Sequence, residues 1–320
     1  MRLPSRDLLE AAADLVYKVM PPTPQIRWPL LCARTGADVW VKHENHTPIG
    51  AFKVRGGVVY VEELKRREPD VAGVIAATRG NHGQSIAFAA GRAGLRSVIV
   101  VPHGNSREKN AAMRALGAEL IEHGDDFQDA FEHAVHLAEQ ERLHLVPSFH
   151  DALVRGVASY ALELFRAVPG LDAVYVPIGL GSGICAMLAA RDALALKTEI
   201  IGVVASRAPA YSLSYDAARP IAAPVGQTIA DGMACRVPNA AALEIILESA
   251  SRIVTVDEKD IEKAMRYIFS DTHNAAEGAG AAALAALLKE SDEMRGRRVA
   301  VILSGGNVDS ETFASVLAGK

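Results

Sequence analysis

The stretch VAGVIAATRGNHGQSIAFAAGRAG, residues 71–94, contains one complete strand–loop–helix unit. Residues 71–77 form a short apolar run typical of a buried strand, and residues 85–94 are typical of a helix that ends at a glycine. The polar loop between them, residues 78–85, leads into a helix that we expect to begin near Gln84. A strand followed directly by a helix favours a parallel α/β sheet, in which helices connect neighbouring strands.

The same alternation continues along the rest of the chain. Further strands are predicted over residues 38–44, 97–102, 118–124, 173–178, 199–205, 252–256 and 298–303. Further helices are predicted over residues 106–117, 126–141, 151–168, 184–196, 239–250, 257–269 and 278–290. The first alternating region closes near Phe149 and the pattern then starts again. We therefore predict an α/β protein with two open, mostly parallel α/β domains and a ligand at the carboxyl ends of the strands.

Length and composition limit the class of protein. A chain of 320 residues exceeds the usual size of one hydrophobic core, so one large or two smaller cores are expected. The formal net charge is −4, which argues against nucleic-acid binding because that function requires a clustered basic surface. Cys32, Cys185 and Cys235 are odd in number and far apart, so they predict neither a disulfide framework nor a zinc site.

The N-terminal stretch, residues 1–16, predicts an amphipathic helix with Ser5 at its N-cap, and not a secretory signal. Acidic residues interrupt it, and no continuous apolar segment follows its basic residues. No run in the sequence is long and apolar enough to span a membrane. We therefore expect a soluble, cytoplasmic protein without a membrane partner.

Residues 47–57, TPIGAFKVRGG, place Lys53 between Phe52 and Val54. A lysine that is partly removed from water has a lowered pKa because its charged form is disfavoured, and its amine can then act as a nucleophile or base. Such a lysine can form a Schiff base. Taken alone, the stretch favours the alternative of a lysine that extends to solvent from the start of an ordinary helix.

Three predicted strands are followed by loops that are rich in polar atoms or glycine. In the first loop, residues 78–85, backbone amides and a helix N-terminus converge on one point, which is typical of an anion site. Asn81 can donate to a carboxylate, and it can both donate to and accept from a ring hydroxyl. His82 is weaker support, because a lone histidine in a loop is more often a structural hydrogen-bonding group.

The other two strand-end loops contain further candidate ligand-binding groups. In PIGLGSGICA, residues 177–186, glycines let backbone amides approach an anion closely. Its GxGxG spacing differs from a dinucleotide fingerprint and it has no Walker lysine, so a single phosphate group is favoured. In SGGN, residues 304–307, the hydroxyl of Ser304 could bind a heteroaromatic nitrogen, with an ordinary tight turn as the alternative. Together with Lys53 these loops indicate a pyridoxal phosphate site.

The chain resembles the serine/threonine dehydratase family of fold-type II pyridoxal phosphate enzymes, which includes threonine dehydratases and serine racemases. The motifs that carry the resemblance are AFKVRGG (51–57), TRGNHGQSIA (78–87), PIGLGSG (177–183), TIADGMA (228–234), EGAGAAALAAL (277–287) and LSGGNVD (303–309). The resemblance implies a large cofactor-binding domain of residues 1–50 and 151–320, a small α/β domain of residues 51–150, and an active site between them. It also implies a homodimer and a small amino acid as substrate.

The resemblance further implies roles for individual residues. Lys53 would carry the cofactor and act as the catalytic base at the substrate α-carbon. The residues expected to bind the cofactor are Phe52, Lys53, Asn81, Gly179, Leu180, Gly181, Ser182, Gly183, Glu277 and Ser304. The residues that the resemblance implies for the substrate carboxylate are Thr78, Asn81 and His82, and Arg79 is a further candidate substrate-binding residue of this chain.

Departures from the family pattern bear on the reaction. Ala51 stands where serine is usual, and Leu180 stands where glycine is common in the phosphate loop. Arg79 stands where serine racemases have a serine that acts as a second acid/base. An arginine cannot lose a proton in that role, so racemisation is disfavoured. Residues 204–210 lack the acids with which some members bind a divalent cation, so no metal site is expected.

We therefore expect an ammonia-lyase of amino-acid metabolism that converts L-threonine or L-serine to a 2-oxo acid and ammonia by β-elimination. Because guanidinium groups bind carboxylates, Arg79 leaves open a 3-hydroxyaspartate-like or other unusual hydroxyamino acid as substrate. The alternative for Arg79 is a salt bridge within the protein. Two rival functions are β-replacement, as in cysteine synthases, and a non-catalytic amino-acid-binding protein of the same fold.

Overall fold

The computed structural model describes residues 3–319, which form ten strands, thirteen α-helices and one short 3-10 helix. The first half of the chain contains α1 (Arg6–Tyr17), β1 (Gln25–Arg27), α2 (Pro29–Thr35), β2 (Asp38–His43), α3 (Lys53–Arg67), β3 (Gly73–Ala77), α4 (Asn81–Ala93), β4 (Arg96–Val101), α5 (Arg107–Ala115), β5 (Glu119–Glu122), α6 (Phe127–Glu141) and β6 (His144–Leu145). The second half contains α7 (Asp151–Ala167), β7 (Ala173–Pro177), α8 (Ser182–Ala193), β8 (Glu199–Ala205), α9 (Ala210–Asp216), the 3-10 helix Asp231–Met233, α10 (Ala240–Ser249), β9 (Arg252–Val256), α11 (Glu258–Thr272), α12 (Gly278–Lys289), β10 (Arg298–Leu303) and α13 (Ser310–Ala318). None of the helices in this described part of the chain is both long and apolar enough to cross a membrane.

The strands form two sheets. The larger has six strands in the order β1-β2-β10-β7-β8-β9, which pair in parallel except for β1, antiparallel to β2. The smaller has four parallel strands in the order β5-β4-β3-β6. The predicted α/β class with mostly parallel strands is therefore confirmed. The larger sheet draws its strands from residues 25–43 and 173–303, and the smaller from residues 73–145.

Parallel pairing brings the three glycine-rich or polar loops to the carboxyl ends of their strands. The loops after β7 and β10 leave the larger sheet from neighbouring strands, because β10 pairs directly with β7. The loop after β3 leaves an inner strand of the smaller sheet, and every residue of β3 is buried. Open α/β sheets bind ligands at such strand ends, so this topology places the three loops where a site is expected.

Helix α4 begins at Asn81, whereas the sequence predicts a start near Gln84. Gly80 precedes the helix with a φ of 156°, a backbone conformation that other residues rarely adopt, and this glycine lets the chain turn directly into the helix. Asn81 and His82 therefore belong to the first helical turn and not to the loop. Their backbone N–H groups are among those that a helix N-terminus leaves free.

The sequence patterns give no bounds for β1, α2, α3, α9 or α13, and a helix that starts at Lys53 is only one alternative for its stretch. Helix α3 shows the physical reason. Gly56 and Gly57 lie in its first turns and lower its intrinsic helix propensity. A Cβ on Gly56 would lie 2.8 Å from the carbonyl oxygen of Leu153, and one on Gly57 would lie 2.2 Å from the Oγ of Ser85. Close contact with α7 and α4 therefore requires both glycines and overrides their local preference.

A buried ion network lies beside the start of α3. The guanidinium of Arg55 donates to both carboxylate oxygens of Glu44, at 2.7 and 3.0 Å, and to both of Glu163, at 2.7 and 3.0 Å. The ammonium of Lys42 donates to Glu163 at 2.6 Å. Arg55, Lys42 and Glu44 have no exposed surface. Because two cations face two carboxylates, each buried charge has an opposite partner within hydrogen-bonding distance.

Arg55→Met is expected to lower the free energy of unfolding by about 3–5 kcal/mol, because it leaves the buried carboxylates of Glu44 and Glu163 without their main partner. Urea-induced unfolding followed by circular dichroism measures the loss. Arg96→Met is the matched control, since Arg96 also pairs with two glutamates but its side chain is 40% exposed. The control is expected to lose at most about 1 kcal/mol. Equal losses in the two variants would contradict a stabilising role for the buried network.

Candidate active site

A cavity of about 1410 Å³ lies where the strand-end loops meet. It is lined by every residue for which the sequence predicts a catalytic, cofactor-binding or substrate-binding role: Phe52, Lys53, Thr78, Arg79, Asn81, His82, Gly179, Leu180, Gly181, Ser182, Gly183, Glu277 and Ser304. Their individual roles stay predictions, but the fold brings these distant motifs to one space. Within residues 3–319, no group of three or more His, Cys, Asp or Glu side chains is arranged to hold a metal ion.

Lys53 is the first residue of α3 and lies inside this cavity. Its Nζ donates to the Oγ of Ser182 at 3.0 Å and lies 5.0 Å from the centre of the Phe52 ring. Burial lowers the pKa of Lys53 to about 8. A useful fraction of this side chain is therefore the neutral amine near neutral pH, as a nucleophilic or basic lysine requires.

Backbone hydrogen bonds fix the chain around Lys53. The N–H of Phe52 donates to the carbonyl oxygen of Ser304 at 3.0 Å. The hydroxyl of Ser85, on α4, donates to the carbonyl oxygen of Lys53 at 2.6 Å. The lysine is therefore held in place relative to both the loop after β10 and the helix after β3.

The loop between β7 and α8 is built to let backbone amides approach a ligand. Gly181 has a φ of 101°, and a Cβ on it would lie 2.6 Å from the Cβ of Ala242. A Cβ on Gly179 would lie 2.4 Å from the carbonyl oxygen of Gly232. Both positions therefore require glycine. Helix α8 begins at Ser182, and the N–H groups of a first helical turn have no partner within the helix, so they are available to an anion.

These features fit pyridoxal phosphate. The glycine cradle of residues 179–183 offers N–H donors and no acidic side chain, which suits the phosphate group. Lys53 offers an amine of lowered pKa, which suits the aldehyde. Ser304 is 5% exposed and lines the same cavity, so its hydroxyl could meet the pyridine nitrogen. These groups therefore match three chemically distinct parts of the cofactor: its phosphate group, its aldehyde and its ring nitrogen.

A chain of polar side chains crosses the cavity. Asn81 donates from Nδ2 to the Oε1 of Glu277 at 2.6 Å, and the Nζ of Lys109 lies 3.2 Å from the Oε2 of Glu277. Lys109 also donates to Asp231 at 2.7 Å, and Asn307 donates to the Oδ1 of Asn81 at 2.8 Å. Asn81 and Lys109 lie on helices that follow strands of the smaller sheet, whereas their partners lie in the second half of the chain, between or after strands of the larger one. The network therefore joins the two sheets across the cavity.

Neither Lys109 nor Asp231 is among the site residues predicted from the sequence. Lys109 lies on a helix whose pattern is typical of a solvated face, yet it is only 7% exposed. Burial alone would lower the pKa of Lys109, but the charges of Glu277 and Asp231 outweigh burial and raise it. Burial raises the pKa of Glu277. Asp231 lies in the motif TIADGMA and could have been found from it, whereas nothing in the sequence around Lys109 signals its position.

Thr78 and His82 are buried at the turn into α4. The hydroxyl of Thr78 accepts from the N–H of Gly80 at 2.9 Å and from that of Gly83 at 3.2 Å, so it shapes the turn. Burial and the charge of Lys53 lower the pKa of His82 to about 3, so its imidazole is neutral near neutral pH. Its Nε2 has no hydrogen-bond partner among residues 3–319. A neutral imidazole with a free nitrogen can hydrogen-bond to a ligand in the cavity.

Arg79 lines the cavity and is partly exposed to it. Asp126 lines the same cavity and interacts with Arg79 electrostatically, but the two do not form an ion pair. No salt bridge of Arg79 occurs in the described part of the chain, residues 3–319. Apart from this interaction with Asp126, the guanidinium of Arg79 has no charged partner in that part of the chain, so it could also bind a carboxylate of a ligand.

Comparison with known proteins identifies the family. Residues 16–305 match the family described as pyridoxal-phosphate dependent enzyme. The chain is 34% identical over 298 residues to the biosynthetic L-threonine dehydratase of Salmonella typhimurium, and this match covers 92% of the chain but 58% of that longer protein. It is 32% identical over 323 residues to an L-threo-3-hydroxyaspartate ammonia-lyase of a Pseudomonas species, with 100% of both chains covered.

The fold is shared with the solved structure of a threonine deaminase. The processed form of threonine deaminase isoform 2 from Solanum lycopersicum superposes with a TM-score of 0.90 at 28% sequence identity, over 99% of this chain and 95% of that one. The predicted fold, cofactor and enzyme class are thereby confirmed at the level of the family. The chain belongs to the pyridoxal-phosphate dependent enzymes and, among them, to the serine/threonine dehydratase-like ammonia-lyases of fold type II.

Proposed function

We propose that the protein eliminates water from a β-hydroxy amino acid, with L-threonine and L-serine as the default substrates, to give a 2-oxo acid and ammonia. The observation that carries this proposal is Lys53, an amine of lowered pKa held between Phe52 and Ser182 in the cavity where the family motifs meet. Similarity to an L-threonine dehydratase and to a threonine deaminase supports the same reaction.

Pyridoxal phosphate, when bound, withdraws electrons from the substrate α-carbon and so makes the C–H bond there acidic enough to break. Residues 179–183 would hold its phosphate group through backbone N–H donors. The hydroxyl of Ser304 would face the ring nitrogen. Because a hydroxyl is neutral, it leaves that nitrogen without a proton, which suits elimination in this family.

Lys53 carries the proton in this reaction. Its neutral Nζ takes the proton from the substrate α-carbon, and the C–O bond at the β-carbon then breaks. The hydroxyl group takes up one proton and leaves as water. The enamine that is released rearranges to an imine, which water hydrolyses to the 2-oxo acid and ammonia. No oxidant or reductant is needed, because the electrons of the broken C–H bond form the new carbon–carbon double bond.

The first turn of α4 is suited to the substrate carboxylate. Asn81 and His82 lie in this turn, where free N–H groups and the helix dipole favour an anion. The hydroxyl of Thr78 holds the turn in shape through the N–H groups of Gly80 and Gly83. We therefore assign the α-carboxylate of the substrate to this turn.

An acidic β-hydroxy amino acid of the 3-hydroxyaspartate class is the second candidate substrate. Arg79 favours it, because its guanidinium lines the cavity without a salt bridge among residues 3–319, and guanidinium groups bind carboxylates through paired hydrogen bonds. Similarity over the whole chain to an L-threo-3-hydroxyaspartate ammonia-lyase also supports it. L-Threonine and L-serine have no second carboxylate that could pair with Arg79, so the two candidate substrates differ in this one contact.

The domain bounds and the assembly stay predictions. We propose that residues 1–50 and 151–320 form the large domain and residues 51–150 the small one; the origin of the strands of each sheet supports this division. A homodimer and a cytoplasmic location rest on the sequence and on the family resemblance.

Lys53→Ala is expected to reduce 2-oxo acid formation from L-threonine and L-serine at least about 10²-fold, because it removes both the cofactor attachment and the base. Release of the 2-oxo acid is measured together with the visible absorption of the purified protein. Lys65→Ala is the control, since Lys65 is an exposed lysine on the same helix, and it is expected to keep full activity. Full activity of Lys53→Ala would overturn the proposal, as would a substituted amino acid formed in place of a 2-oxo acid.

The rate at which the apoprotein captures pyridoxal is expected to rise with pH up to about 8 and then to level off. Only the neutral amine of Lys53 attacks the aldehyde, and burial lets this amine lose its proton near pH 8. Pyridoxal is used because it has no phosphate group, and its rate of reaction with Nα-acetyl-lysine amide at each pH corrects for the titration of its own ring. Visible absorption follows the reaction. A rate that continues to rise toward the ordinary lysine pKa of 10.5 would contradict a buried Lys53.

Arg79→Ser tests the second candidate substrate. The ratio of kcat/KM for L-threo-3-hydroxyaspartate to that for L-threonine is expected to fall about 10- to 100-fold, because one charged hydrogen-bonding partner of the distal carboxylate is lost. Arg207→Ser is the control, since Arg207 lines the same cavity but donates to the carbonyl oxygen of Gln227 at 2.7 Å. An unchanged ratio would exclude Arg79 as the recognition residue and leave L-threonine and L-serine as the substrates.

A further inference from the structure

Two buried tyrosines donate hydrogen bonds to carbonyl groups of the glycine-rich segment 179–183, which includes the end of the loop after β7 and the start of α8. The hydroxyl of Tyr211 donates to the carbonyl oxygen of Leu180 at 3.0 Å, and the hydroxyl of Tyr160 donates to that of Gly183 at 3.2 Å. Each tyrosine is 1% exposed. Neither hydroxyl takes part in the reaction proposed above. Their hydrogen bonds to this segment therefore need another explanation.

Tyr211 has the larger influence on the loop. Gly183 lies inside α8, where the helix itself fixes the peptide, whereas Leu180 lies before the helix. Among residues 3–319, no backbone N–H outside the helices and strands donates to the carbonyl of Leu180. The Tyr211 hydroxyl also accepts from the N–H of Asn239 at 3.1 Å, and Asn239 is the N-cap of α10. The tyrosine therefore connects the loop to the start of a second helix.

The direction of one N–H group follows from this contact. In a trans peptide the C=O and N–H groups point in opposite directions, and the described chain contains no cis peptide. The carbonyl of Leu180 shares its peptide with the N–H of Gly181. Because Tyr211 holds this carbonyl on the side of α9 and α10, the N–H of Gly181 points away from these helices. Gly181 also lines the cavity, so we infer that this N–H is directed into it.

We propose that Tyr211 is a positioning residue of the phosphate site, which orients the N–H of Gly181 and thereby sets the affinity of the loop for a phosphate monoester. This inference rests on the proposed function, in which residues 179–183 bind the cofactor phosphate. Residues 178–183 contain no lysine or arginine. Recognition there depends on backbone N–H groups, so the direction of each group affects the strength of binding.

Removal of the hydroxyl separates this role from simple packing. Phenylalanine keeps the ring of Tyr211 in place but leaves the Leu180 carbonyl and the Asn239 N–H without their partner. A buried carbonyl without a donor is unfavourable, so the peptide gains freedom to turn. A turned peptide presents its oxygen to the cavity, where it repels a phosphate group.

The test compares pyridoxal phosphate with pyridoxal, which keeps the aldehyde for Lys53 but has no phosphate group. Tyr211→Phe is expected to raise the dissociation constant of pyridoxal phosphate from the apoprotein about tenfold and to leave that of pyridoxal unchanged. Tyr215→Phe is the matched control, because Tyr215 lies on the same helix and its hydroxyl also donates to a carbonyl, that of Ala250 at 3.0 Å. It is expected to change neither constant. Absorption titrations give both constants.

Three results would overturn the proposal. One is an equal loss of affinity for both compounds in Tyr211→Phe, and another is an unchanged affinity for pyridoxal phosphate. The third comes from the wild-type apoprotein, where inorganic phosphate is expected to slow hydrogen exchange of the Gly181 amide, and an unaffected amide contradicts the proposed orientation. If the wild-type protein binds pyridoxal as tightly as pyridoxal phosphate, the assignment of residues 179–183 as the phosphate site fails as well.

Discussion

The buried ion network around Arg55 is the constraint on which the active site depends. Burial of a charge is unfavourable unless an opposite charge and hydrogen bonds replace the water that the charge loses. The network meets this condition, because Arg55 and Lys42 face Glu44 and Glu163, and Arg55 also donates to Ser159 at 2.8 Å. It joins β2, the residue after β2, α3 and α7. Paired charges, together with apolar packing, therefore determine where the helix that begins at Lys53 can lie.

Lys53 precedes Arg55 by two residues, and these two cations differ in whether nearby charges offset the effect of burial. Burial disfavours the charged form of both. For Arg55 the charges of Glu44 and Glu163 outweigh burial and raise the pKa, whereas for Lys53 burial acts alone and lowers the pKa to about 8. One turn of helix therefore carries a permanently charged side chain that fixes the backbone and a second side chain that can give up its proton.

The sequence predicts the sheets and the three strand-end loops because these depend on local patterns of apolar, polar and glycine residues. It identifies Lys53 only through the other loops, since the stretch alone favours a solvated lysine. The bounds of helix α3 escape prediction because its glycines are required by contacts with Leu153 and Ser85, which come from other parts of the chain. Lys109 escapes for a related reason. The pattern of its helix is typical of a solvent-exposed helix. In the structure Lys109 is buried and forms ion pairs with Glu277 and Asp231, which lie far away in sequence.

Charged side chains are unevenly distributed around the cavity. Residues 178–183 carry no charged side chain, so a phosphate group at the proposed site would be bound by N–H groups and the dipole of α8. Lys109 adds no free charge, because Glu277 and Asp231 neutralise it. Arg79 forms no salt bridge among residues 3–319, although Asp126 interacts with it electrostatically. Under the proposals above, backbone direction would set cofactor affinity and the charge of Arg79 would set substrate choice. Because these two proposed determinants share no residue, a substitution of Arg79 is expected to alter substrate choice without weakening cofactor binding.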